Sequence, residues 1–297
     1  MTEYIVQHCS TCQLYKNPTR GYGHLPPKQT TMIPWHNVAV DLIGPWTINT
    51  DNKTFTLQAL TIIDTDTNLT EATPIHNKTS ANIASKFENV WLARYPKPTR
   101  CIHDNGNEFI GVEFQNMLLK YHIKDVPTTI KNPQANAICE RMHQTIGNML
   151  RTHLYHFTPH TQQDCDELIE LAIASAIFAL RATIHTTLGV TPGSIVFHRD
   201  MLLDIPVIAD LQALQQRRQH KINYNAQRSN KRRYEYTYQV NDLILIEIEN
   251  PTKLQQRFQG PFKITQVNDN GTIIIQRAEN ISQTINIRRV KPYHKFS

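Results

Sequence analysis

Short apolar runs and helical stripes alternate along this chain, and their order predicts its elements. From Trp35 and His36 the chain enters Val38-Ala39-Val40, which reads as a buried strand with Asp41 at its lip. Strands are expected at residues 56–64 and 70–76, with Asp64, Asp66 and Asn68 in a hairpin turn between them. Thr79 is a candidate N-cap for a helix running to Tyr95, because Ile83, Phe87, Val90, Trp91 and Arg94 recur at helical spacing. Pro96 and Pro98 stop it. A strand at 101–104, a helix at 113–122 and a strand at 124–128 follow, then a helix from about residue 132. Its stripe is Ile138, Met142, Ile146, Met149 and Leu150. A helix over 164–187 carries a small-residue face of Ala172, Ala174, Ala176 and Ala179. The last sixty residues read as short strands at 243–248, 262–267, 272–277 and 283–290, with Asn270-Gly271 as a hairpin turn.

Composition narrows the classes. A chain of 297 residues, 40% hydrophobic and 19% charged, has enough apolar surface for two or three small domains and is not disordered. Its formal charge of +6 favours an anionic partner such as nucleic acid. Five scattered cysteines give no disulfide framework and point to a reducing compartment. Residues 1–8 have no apolar core of a signal peptide, and the run from Leu168 to Leu180 is too short to cross a bilayer. A secreted or membrane protein is therefore not expected.

Three acids change the picture. Asp41 ends a strand reading, Asp104 ends another and precedes Asn105-Gly106, and Glu140 lies on the helix from about 132. Thirty-five residues separate Asp104 from Glu140. Glu140 is two positions past Ile138, about 200° around the helix, so it points away from the apolar stripe. His143, Gln144, Gly147, Asn148 and Arg151 share that polar face. Clustered carboxylates raise one another's pKa unless cations neutralise them, and oxygen-only ligands suit Mg²⁺ or Mn²⁺. Two such ions, about 3.5–4 Å apart, form the clamp for in-line phosphoryl displacement. Cys139 reads as a small helix residue, not a nucleophile.

These stretches resemble the catalytic core of retroviral and gypsy-type retrotransposon integrases. The family's Ser/Thr-Asp-x-Gly-x-Glu-Phe motif is matched at Asp104, Gly106, Glu108 and Phe109, with His103 in place of the hydroxyl residue. Its His-Pro-Gln-x-Asn-Gly-x-x-Glu-Arg motif is matched at Pro133, Gln134, Asn136, Glu140 and Arg141, with Asn132 and Ala137 departing from it. The segment 188–200 resembles the family's closing Thr-Pro-x-x-x-x-Phe-Gly turn, with His198 at the last glycine. Gln259-Gly260-Pro261-Phe262 and residues 289–293 resemble its Gly-Pro-Tyr/Phe module.

The resemblance implies an α/β fold, a ribonuclease-H-like mixed sheet flanked by helices, followed by a small C-terminal β-barrel. It divides the chain into a zinc-domain remnant (1–20), a linker (21–33), the catalytic core (34–205), a basic helical linker (206–236) and the barrel module (237–297). It implies metal-dependent 3′-end processing and strand transfer, with Asp41, Asp104 and Glu140 holding two Mg²⁺ or Mn²⁺ ions. Double-stranded DNA, both element ends and target, is the implied partner, with the active form a homo-oligomer in the nucleus. Gln134, Asn136, Arg141, His143, Gln144 and Arg151 are the DNA-facing candidates on the core. Lys231, Arg232 and Arg233 are those of the linker, where Arg217, Arg218, His220, Lys221 and Arg228 add to the charge.

Cys9 and Cys12 form a Cys-x-x-Cys, but tetrahedral zinc needs two further ligands. The family's His pair lies further upstream than the eight residues before Cys9 allow, so zinc is not expected in this form and residues 1–30 are expected to be poorly ordered. Two other functions compete with the integrase: a ribonuclease-H-like nuclease and an element-derived DNA-binding protein whose chemistry has decayed.

Overall fold

In a computed structural model of the chain, the described residues are 8–49, 53–127, 133–278 and 281–295, with the backbone alone described over 133–141. Two compact units divide the chain, residues 30–218 and residues 1–29 with 219–297.

In chain order, the first elements are α1 (Ser10–Tyr15) and β1 (Gly21–Tyr22). The larger unit then supplies β2 (Asn37–Asn49), β3 (Thr54–Asp64), β4 (Thr70–Ile75), α2 (Ser80–Phe87), β5 (Arg100–His103), α3 (Asn107–Ile110), α4 (Val112–Lys120) and β6 (Lys124–Pro127). It continues with α5 (Pro133–His156), α6 (Gln162–Ala182) and α7 (Pro192–Phe197). Helix α8 (Leu211–Asn230) begins in that unit and ends in the other. Next come β7 (Arg233–Tyr234), β8 (Leu243–Glu247), β9 (Phe258–Val267), β10 (Thr272–Ala278), β11 (Ile281–Asn286) and β12 (Val290–Pro292).

The larger unit is built on a five-stranded sheet of order β4-β3-β2-β5-β6. Strands β2, β3 and β4 form an antiparallel meander, while β5 and β6 run parallel to β2 and to each other. Side-chain alternation sends Val38, Val40, Leu60 and Ile62 to one face, where Ile83, Phe87, Trp91 and Phe114 of the helical layer cover them. Ile43, Ala59 and Ile63 go to the other face, against Met142, Ile146 and Leu150 of α5 and Leu168, Ala172 and Ala176 of α6. This mixed sheet between helical layers is the ribonuclease-H-like arrangement expected.

Several element ends differ from expectation. β2 does not stop near Asp41 but continues to Asn49, absorbing Gly44-Pro45 as a register shift between Ile43 and Trp46. Helix α2 is capped by Thr79, whose hydroxyl accepts from Asn82 N, but beyond Phe87 it widens into a π-helical turn over Glu88–Leu92. Helix α6 starts earlier than 164 because Thr161 and Asp164 close a capping box. His198, at the position of the motif's glycine, adopts φ 55° as the C-cap of α7.

In the smaller unit β11-β10-β9-β8-β12 form an antiparallel sheet, compatible with a small barrel, around Ile244, Ile246, Ile264, Ile273, Ile275 and Tyr238. Gly271 takes φ 78° in the expected Asn270-Gly271 turn. Order also extends where little was expected. α1 is helical, β1 pairs in parallel with β7, and Asn230 Oδ1 accepts from Leu25 N at 2.8 Å. Non-local pairing with the end of the chain orders this segment, and no local signal announces such pairing.

Candidate active site

The register of β2 and β5 sets up the site. Ala39 pairs with Ile102, so two residues on, where the ladder has ended, Asp41 and Asp104 stand at the same level. Asp41 shares a strand face with Ile43, which packs against α5. Burial pushes the Asp41 carboxyl up to about 6 from 3.8, the charges of Asp104 and Glu108 add to the rise, and a hydrogen bond from Leu42 N at 2.8 Å opposes it. Asp104 itself is exposed, and its Oδ1 accepts from Gly106 N at 3.0 Å.

Helix α5 passes beside Asp41. His143 Nε2 is 3.8 Å from Asp41 Oδ2, too far for a hydrogen bond. Burial holds the imidazole down to about 4, so at neutral pH it is uncharged and the contact is not an ion pair. Its buried Nε2 has no hydrogen-bond partner among the described residues. Gln144 and Arg151 are exposed, and Arg151 Nη1 donates to Asn148 Oδ1 at 2.5 Å. Glu140 belongs to α5, three positions before His143 and so within about 60° of it around the helix. Its side chain, with those of Gln134, Asn136, Cys139 and Arg141, lies outside the described residues. Among the described residues, no group of three or more His, Cys, Asp or Glu side chains is arranged to hold a metal.

Glu108 is the acid that sequence reasoning passed over as a motif match alone. A Cβ on Gly106 would meet Glu108 Oε1 at 2.7 Å and Asp104 Oδ1 at 3.0 Å, so the two carboxylates flank one glycine. Its spacing of four from Asp104 was the available signal. Asp64 and Asp66 are engaged in their own turn. Asp64 accepts from Trp35 N and Asp66 N at 3.0 Å and from Thr67 Oγ1 at 2.8 Å. Asp66 accepts from Asn37 Nδ2 at 3.3 Å and lies 3.7 Å from Arg218.

The basic residues of the linker divide into two kinds. Lys231 and Arg232 are exposed. Arg233, expected to contact DNA with them, instead donates to the backbone carbonyls of Tyr22, Gly23 and Ile287. A guanidinium shared among three carbonyls is an internal tether, a role the charge run did not announce. Arg217 donates to Leu188 O at 3.0 Å, and Arg218 to Thr65 O at 2.5 Å and Asp66 O at 2.9 Å. In the smaller unit Cys9 and Cys12 adjoin at the start of α1, where hydrogen bonds from Cys12 hold the Cys9 thiol below its usual value. The rings of His8 and His294 are 5.7 Å apart nearby.

No protein-family model matches the chain. Over 99% of its length it is 23% identical to the retrovirus-related Pol polyprotein from transposon 412 of Drosophila melanogaster. It is 22% identical, again over 99% of its length, to the transposon Tf2-3 polyprotein of Schizosaccharomyces pombe. The chain spans about a quarter of the length of these relatives, 25% and 23% respectively. In fold it is similar to a chain of the simian T-cell lymphotropic virus intasome, solved in complex with PP2A regulatory subunit B56 gamma. The TM-score is 0.66 at 17% identity, covering 98% of this chain and 89% of that one. The chain is thus similar over nearly all of its own length to a segment of retrotransposon Pol polyproteins, and similar in fold to a chain of a retroviral intasome.

Proposed function

We propose that this chain is the integrase segment of a retrotransposon polyprotein, a metal-dependent polynucleotidyl transferase. It would trim the 3′ ends of the element's DNA and join them to target DNA. The observation that carries this reading is the β2–β5 register, which brings the Asp104 charge to bear on Asp41, on a strand that packs against the helix bearing Glu140. A half-buried carboxylate facing further negative charge is a donor set that fits a divalent cation. Asp41, Asp104 and Glu140 would hold it, and Mg²⁺ or Mn²⁺ bound there would acidify an attacking water or hydroxyl and neutralise phosphate oxygens.

The chain's own residues have defined work in this scheme. Uncharged His143, its buried Nε2 3.8 Å from Asp41 Oδ2, adds no positive charge beside the carboxylates that would hold the cation. Exposed Gln144 and Arg151 extend the same helix face along a DNA backbone, and Gln134, Asn136 and Arg141 would join them at its start. Exposed Lys231 and Arg232 would neutralise phosphates without reading sequence. Function would be nuclear, where target DNA is, and in a homo-oligomer that holds two element ends. No helix of the described residues is long and apolar enough to cross a membrane.

Incubation with Mg²⁺ and short duplexes ending in the element's terminal sequence tests the proposal. Shortened 3′ ends followed by joined products support it. Cleavage of RNA–DNA hybrids without joining would favour a nuclease, and DNA binding with no product in Mg²⁺ or Mn²⁺ would favour a decayed relative.

A further inference from the structure

His103 occupies the position where the integrase motif carries Ser or Thr, and the substitution changes the local chemistry. Its side chain is 0% exposed at the end of β5, its ring centroid 5.4 Å from that of Phe109 and 6.0 Å from that of Phe114. Burying an imidazole is costly unless its nitrogens find partners, and here each faces an oxygen acceptor, with the Asp125 carboxylate opposite Nε2. Nδ1 is 2.5 Å from the backbone carbonyl oxygen of Asp104, and Nε2 is 2.5 Å from Asp125 Oδ1 on β6. A Ser or Thr hydroxyl is too short to span from one strand to the next and grip the following peptide as well.

The position of this grip matters. Among the described residues the last pair of the β5–β6 ladder is His103 and Pro127, and Pro127 has no N–H to give it. The next carbonyl, that of Asp104, is held by the imidazole instead. The Asp104 side chain is held from the other direction, by Gly106 N. An exposed carboxylate thus stands on a peptide fixed on both sides, with a buried aromatic packing as the base. We propose that His103 is a positioning residue that sets where the Asp104 carboxylate stands relative to Asp41, with Asp125 as its anchor on the neighbouring strand. This rests on the metal-dependent reading of Asp41 and Asp104 above. It goes beyond that reading by giving this chain a support for its ligand that the Ser/Thr motif does not have.

Three substitutions in the full chain separate the bonds. His103→Asn places an amide N–H near the position of Nδ1, keeping the Asp104 contact and losing Asp125. His103→Gln places one near Nε2 and does the reverse, and His103→Phe keeps the aromatic packing and loses both. Mn²⁺ alone is titrated into each protein and free ion is read by electron paramagnetic resonance, with circular dichroism and thermal unfolding as controls. Expected is weakening of Mn²⁺ binding by about tenfold in His103→Phe and His103→Gln, the scale seen when a group that orients a metal ligand is removed. His103→Asn should stay within about threefold of the parent, and the order should follow the Asp104 contact, not thermal stability. Equal Mn²⁺ affinity in all four proteins, or affinities that track only the melting temperatures, would overturn the positioning role. If His103→Phe does not fold, the Asn and Gln pair still decides it, because a merely structural role predicts no preference for Asn. A parent protein that binds no Mn²⁺ at millimolar concentration would instead remove the proposed metal site itself, and this inference with it.

Discussion

Asp41→Asn should stabilise the metal-free protein while removing its response to metal. The amide has nearly the carboxylate's shape, and its Oδ1 can still accept from Leu42 N, so the change is mainly one of charge. Burial, then the Asp104 and Glu108 charges, lift the Asp41 carboxyl from 3.8 to about 6 in the folded chain. A rise of this size would correspond to about 3 kcal/mol if taken whole. The side chain is 37% exposed, so solvent screening cuts this to roughly 1–2 kcal/mol. A folded carboxyl with a raised value costs nothing below its unfolded value. The cost grows as pH climbs from about 4 to about 6 and is complete above that.

Thermal unfolding in EDTA should therefore place Asp41→Asn roughly 3–6 °C above the parent at pH 7.5, since 1 kcal/mol moves a unit of this size about 2–4 °C. The gain should vanish near pH 4. Adding millimolar Mn²⁺ should raise the parent's midpoint by preferential binding to the folded state and leave the variant nearly unmoved. A variant no more stable than the parent at pH 7.5, or a gain equal at pH 4 and pH 7.5, would refute the electrostatic account of this residue.

The remaining expectations concern the basic residues. Arg218→Ala should cost about 3–5 kcal/mol in urea unfolding, because it strands Asp66 and the carbonyls of Thr65 and Asp66 in a buried setting. Arg218→Lys should rescue little of this, since an ammonium cannot reproduce the forked contact. Lys231→Ala with Arg232→Ala should weaken binding to all duplexes alike and lower the salt slope by close to two units, measured by fluorescence anisotropy across salt concentrations. Arg233→Ala should instead lower the melting temperature, and a change in its salt slope without loss of stability would contradict the tether.

How much of this was legible beforehand depends on the range of the interactions. The Thr79 cap, the Asp64–Asn68 turn and the stripe of α5 are local, and residue type and spacing revealed them. Asp41 and Asp104 were readable from strand context and motif, but their common level depends on the register of β2 against β5, which no local pattern encodes. Asp41 looked like the lip of its strand, and only the pairing with β3 carries β2 on to Asn49. Arg218 and Arg233 looked like DNA contacts because a charge run does not reveal which charges the fold will occupy. Their carbonyl partners lie more than fifty residues away in sequence. His103 was visible as a departure from its motif, yet its meaning depended on Asp125 across the next strand.

The central claim is that Asp41, Asp104 and Glu140 act as one metal-dependent strand-transfer site. Joining of a short duplex end to target DNA by the parent and by Glu140→Gln, at matched DNA occupancy and in both Mg²⁺ and Mn²⁺, tests it most directly. Glu140→Gln removes charge and keeps volume. The account predicts joining by the parent, no detectable product from the variant, and DNA affinities within a few-fold of each other. Joining by Glu140→Gln at the parent's rate would contradict it.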